Sequence, residues 1–96
     1  MRTLFVASEY RHTRNWFIDT MDSISRGRNN SNVRAYEADT RIVFPDGSEF
    51  LFITINDGHD LNRYRGQRAN AIIEHHTFRP QAVWFDIKPH LIDNRI

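Results

Sequence analysis

Between Asn62 and Arg68 the chain sets three arginines, Arg63, Arg65 and Arg68, around Tyr64 and Gly66. A guanidinium fork matches phosphate or carboxylate, an aromatic ring offers a stacking face, and glycine lets the backbone come close to a ligand. The segment is therefore a candidate loop for contacting nucleic acid or an acidic partner, and Arg11 and Arg14, after the first apolar run, extend the same chemistry. A second group, Glu74 and His75 with Asp57 and His59, carries the oxygen and imidazole donors of a divalent-metal site, the chemistry of a metal-dependent nuclease or phosphohydrolase. His75 and His76 are adjacent, and on a strand they are expected to point to opposite faces, so that one ion does not take both without a turn there. No cofactor is expected. Ser8 lacks the G-x-S-x-G context of a strained nucleophile and reads as a turn residue.

These residues need elements to hold them. Thr3 to Ser8 is a continuous apolar run of strand length, the pattern of a strand covered on both faces. Thr13 is expected to cap a helix whose apolar positions Trp16, Phe17, Met21 and Ile24 recur at about one turn, with Gly27 as its stop. Residues 28–32 are turn-formers. From Val33 the period changes to two: a short strand over Val33 to Tyr36, then strands Arg41 to Phe44 and Glu49 to Ile55 joined by the turn Pro45-Asp46-Gly47-Ser48, a β-hairpin. In the second of these strands Phe50 and Phe52 fall on one face and Leu51 and Ile53 on the other, which makes it central. Residues 56–68 are polar and read as a loop or short irregular helix. Residues 69–74 favour a further buried strand, although Ala and Glu also permit a helix there, and Pro80 opens a helix whose Val83, Trp84 and Ile87 share one face before Pro89 stops it.

The expected fold is α/β, a small sheet with a central β-hairpin and two or three packed helices in the order β-α-β-β-β-β-α. At 96 residues, 40% of them hydrophobic, the chain suits one domain over 1–96. Seven Phe, three Tyr and two Trp give it large core side chains, and Trp16, Phe17, Phe44, Phe50, Phe52 and Trp84 are expected inside. With no cysteine, disulfides and thiolate chemistry are excluded and a reducing cytoplasm is the expected compartment. No apolar run is long enough to span a bilayer, so no membrane partner is expected. Net charge is only +1, yet every cation except Lys88 is Arg, a bias toward recognition of carboxylate and phosphate groups.

The order of these segments resembles the nucleotide-hydrolysing core of helicases and of the large terminase subunits of tailed phages. TLFVAS (3–8) and RNWFIDTMDSI (14–24) are similar to the strand and helix after the nucleotide loop. RIVFPDGSEFLFITI (41–55), RYRGQRAN (63–70), AIIE (71–74) and PQAVWFDIKPHLIDN (80–94) follow in the order that leads through the acidic strand of a terminase. The phosphate loop G-x-x-x-x-G-K-[S/T] is missing, because no Gly-Lys pair exists, and Glu74-His75 stands where the family has Asp-Glu. The resemblance implies a truncated ATPase core without catalysis, whose sheet edges, left open by the missing strand, must be covered by re-pairing, by a homodimer or by another protein. The expected function is a small non-catalytic binding protein, phage or mobile-element encoded, that modulates a nucleic-acid-processing machine through contact with a host or viral protein of nucleic-acid metabolism. Direct attachment to DNA or RNA through the arginine loop and metal-dependent hydrolysis are the alternatives.

Overall fold

The computed structural model describes residues 1–27, 32–56, 64 and 68–92. In chain order the elements are β1 (Arg2–Ala7), α1 (Tyr10–Arg26), β2 (Arg34–Tyr36), a 3-10 turn (Glu37–Asp39), β3 (Arg41–Val43), β4 (Glu49–Thr54), β5 (Ala71–Glu74) and α2 (Ala82–Leu91). This is the expected β-α-β-β-β-β-α order. The strands form one sheet, β2-β3-β4-β1-β5. β1 runs parallel to β4 and β5, and β3 runs antiparallel to both of its neighbours, β2 and β4. The hairpin strand β4 lies in the middle, as its two apolar faces require.

The faces are filled by alternation along the strands. Leu4, Val6 and Ile53 meet Trp84, Ile87 and Leu91 of α2 on one side. On the other, Phe5 and Phe52 meet Phe17 of α1 and Ile42 of β3, with Trp16, Met21, Phe44 and Phe50 packed around them. Phe5 and Phe52 stack at 4.4 Å and Phe17 closes on Phe52 edge-on at 5.7 Å, so neighbouring strands are locked by rings rather than by branched aliphatics alone. Trp84 is fully buried, with its indole N–H lacking a partner among the described residues, so its contribution is one of shape and area.

The hairpin turn is built by Asp46 and Gly47. Gly47 takes φ 88°, open to glycine and strained for other residues. The Asp46 carboxylate accepts from the Ser48 amide at 2.9 Å and the Ser48 hydroxyl at 2.6 Å, and these two bonds hold its pKa below the ordinary value.

Two element ends differ from expectation. Thr13 is not a cap: α1 begins a turn earlier, at Tyr10 after Glu9, and Thr13 is buried within it. Its Oγ1 lies 3.3 Å from the Ile53 carbonyl and 2.7 Å from the Thr54 hydroxyl, so it is a polar bolt between α1 and β4. Pro89 does not stop α2, which continues to Leu91. Proline removes one helical bond, to the carbonyl of Phe85, and Phe85 is exposed to water. Leu91 is fully buried, and its carbonyl accepts the Ala69 N–H at 2.7 Å; these contacts hold the last turn.

Candidate functional site

β5 is an edge strand that pairs with β1 alone among the described strands. Its own sequence decides what each face shows. Ile72 points toward α2 and packs on the core there, whereas Ile73, opposite Phe5 in register, is 45% exposed. The α2 helix flanks the same edge. Its buried stripe is Trp84, Ile87 and Leu91, and at the spacing of a neighbouring stripe lie Phe85, Lys88 and Ile92. Lys88 reaches across to Glu74 of β5 at 2.5 Å, and Ile92 forms a bridge with Ala69, which fixes this stripe beside the strand. Phe85 is 64% exposed and Ile92 36%. The edge thus carries exposed apolar side chains on both faces.

The opposite edge is different. β2 is Arg34-Ala35-Tyr36, three exposed residues with a charge at the outer end. A short edge bearing arginine discourages pairing, while an edge flanked by Ile and Phe invites it.

The expected arginine cluster is only partly within view. Arg63, Arg65, Asp57 and His59 lie outside the described residues. Tyr64 is half-buried and packs against the α2 side of the core. Arg68 sits before β5, where its carbonyl receives Arg2 Nη1 at 3.4 Å, and Arg11 and Arg14 occupy the start of α1 beyond the other end of β1. The six residues of β1 separate these ends by roughly 20 Å. Arg11 and Arg14 therefore do not extend a surface that contains Arg68, and Arg11 is already bound to the Glu9 carboxylate at 2.6 Å.

Nor do His75 and His76 point to opposite faces. β5 ends at Glu74, and in the turn that follows the two rings lie 4.3 Å apart. His75 stacks on His12 at 5.1 Å and meets the edge of Trp16 at 5.1 Å. The Thr77 amide donates to His75 Nδ1 at 3.2 Å, which places that ring's proton on Nε2. The Thr77 hydroxyl, 2.6 Å from the same nitrogen, then donates to it and accepts from His12 Nδ1 at 3.0 Å. Burial, and next the proximity of His76 and His12, push the His75 pKa below its ordinary value. With Nδ1 of both rings engaged and the rings stacked, the donors do not converge. Among the described residues no group of three or more His, Asp or Glu is arranged to hold a metal ion, and Glu74 is engaged by Lys88. The cluster instead ties the β5–α2 connection to α1, together with the Arg79 amide on Ser8 Oγ at 2.8 Å.

Neighbouring His residues were visible in the sequence; their approach to His12 was not, because 62 positions of chain separate the partners and only the parallel pairing of β1 with β5 brings them together. No helix among the described residues is long and apolar enough to cross a membrane. No family profile, curated protein or solved structure matches the chain.

Proposed function

We propose that this chain is a non-catalytic binding protein that engages a protein partner by strand addition at β5. The observation that carries the reading is the apolar edge: Ile73 exposed on one face, Phe85 and Ile92 on the other, beside a strand with one paired side. A partner strand would satisfy the outer backbone groups of β5, while Ile73 and Phe85 would anchor its side chains. The absent phosphate loop and the terminase-like order of segments support a partner within a nucleic-acid-processing machine, in the cytoplasm of a phage host.

The test is capture from lysate with the wild-type chain and with Ile73→Lys, Phe85→Lys and Arg14→Gln, each first shown to be folded by circular dichroism. A partner lost with both Lys variants and kept with Arg14→Gln, and whose binding slows amide exchange across 71–74, is the expected result. Retention of the same partner by Ile73→Lys and Phe85→Lys would sink the reading. Self-association that follows the same pattern would make the partner a second copy. Salt-sensitive retention on DNA or RNA that disappears with Arg63→Ala, Arg65→Ala and Arg68→Ala would favour direct nucleic-acid binding instead.

A further inference from the structure

A cleft of about 460 Å³ opens against β3 and β4, within the size range of small-molecule sites. The sheet face here is the one that α2 covers farther along, and Arg41, Leu51 and Tyr64 line it. Arg41 lies directly opposite Tyr36 in the β2–β3 pair, with its guanidinium 4.6 Å from the centre of the tyrosine ring. Among the described residues its guanidinium has no ion pair and no hydrogen bond, and its Nε is buried without a partner. The other arginine of the cleft, Arg2, is neutralised by Glu49. Asp39, also in the lining, is exposed and forms no ion pair with Arg41. An aromatic ring therefore holds a planar five-donor cation in place and leaves its charge uncompensated.

The backbone beside it is also unusual. Thr40 has φ 45°, the left-handed region, which a β-branched residue rarely occupies, and it is the non-glycine residue with positive φ among those described. Two bonds to Phe52 hold it there: Thr40 Oγ1 to the Phe52 carbonyl at 2.6 Å, and the Phe52 amide to the Thr40 carbonyl at 2.9 Å. Strain of this kind persists where surrounding contacts enforce it, and here it sets the direction in which the chain enters β3 at Arg41.

We propose that this cleft binds a small organic oxyanion, with the Arg41 guanidinium receiving its phosphoryl or carboxylate group and Leu51 and Tyr64 receiving its apolar body. A bidentate oxyanion matches the guanidinium fork in geometry and supplies the missing counter-charge. A modest turn of the side chain also gives the stranded Nε an acceptor. Small size follows from the volume, and an anion rather than a cation follows from the buried, unpartnered Nε of Arg41, since the Asp39 carboxylate in the same lining is exposed to water.

The experiment is a titration of the full chain, followed by amide and arginine side-chain NMR shifts, with phenyl phosphate, benzoate and inorganic phosphate as separate probes. Saturable shifts centred on Arg41, Tyr36 and Leu51 are expected for at least one probe. Saturation with phenyl phosphate or inorganic phosphate assigns a phosphoryl ligand, and saturation with benzoate assigns a carboxylate. Arg41→Gln should weaken binding by about tenfold or more, since it removes a charge-assisted bidentate contact, and Arg26→Gln, on the far end of α1, should leave it unchanged. If Arg41→Gln does not fold, Arg41→Lys reads the same contact, with charge kept and the planar fork removed, and should show a smaller loss. Shifts that rise linearly with all three probes, or equal affinity in the folded Arg41 variant, would overturn the proposal. Because the β5 variants leave this cleft intact, its success or failure is independent of strand addition.

Discussion

On the side of the sheet that faces α2, two halves share one continuous set of strands and have opposite chemistry. Where β5, β1 and the end of β4 lie, Leu4, Val6 and Ile53 are buried at 1% exposure or less beneath Trp84. Where β2, β3 and the start of β4 lie, the same face shows Arg34, Tyr36, Arg41 and Glu49. β1 is a near-continuous apolar run because both its faces are covered, whereas β3 alternates because one of its faces is not. Covering is thus written strand by strand, and a helix of ten residues has only enough apolar stripe to close one half.

The most severe way to break that contrast is Trp84→Ala. Emptying a fully buried site should cost about 3–5 kcal/mol, read as a shift of the urea denaturation midpoint. Trp84→Phe should cost clearly less than Trp84→Ala, since the indole N–H it removes has no partner. Thr13→Val keeps the shape but leaves the Thr54 hydroxyl and the Ile53 carbonyl without this donor, and should lose about 1–3 kcal/mol by the same measurement. Gly47→Ala, at φ 88°, should cost about 1 kcal/mol, with little effect on the core.

Acidification probes the latch at the end of the dry half. The folded-state pKa of His75 lies below the ordinary imidazole value of 6.5, so the unfolded chain takes up this proton first. The stability it contributes is complete above that value and falls as pH drops below it. His12 from α1 and His76 in the turn face the same ring, and Glu9, which precedes α1, holds its carboxylate 4.0 Å from His12 Nδ1. Denaturation midpoints compared between about pH 7.5 and pH 5 should decline in the wild type and decline less in His75→Gln. At the bottom of the scale, Arg34→Ala on the open half should change stability by no more than about 0.5 kcal/mol. A large loss there would mean that the open half is not open.

Much of the fold could be read before any coordinates. Phe50 and Phe52 against Leu51 and Ile53 marked β4 as a strand with two covered faces, and Pro45 to Ser48 marked its hairpin, because both signals are local and periodic. Residues 69–74 favoured a buried strand over a helix; 71–74 form β5, but at the sheet edge, where Ile73 and Glu74 are exposed, because no further strand among those described covers it. The misreadings had non-local causes. Thr13 has the side chain of a cap, and only the approach of β4 gives its hydroxyl another use. Pro89 has the signature of a stop, and only the burial of Leu91 carries the helix past it. Of the surfaces argued above, neither the apolar edge at β5 nor the unneutralised Arg41 had a signature in composition. Each depends on which groups come near and which do not.

The sequence by itself determined the alternation of apolar and polar residues, hence the elements, their order and which strands needed covering, since these follow from periods of two and of about 3.6 along a single chain. The tertiary structure alone decided which strand became an edge, which histidines met and that the Arg41 guanidinium met no carboxylate among the described residues. Those outcomes depend on distances between residues far apart in the chain, and such distances are fixed only when the sheet is assembled.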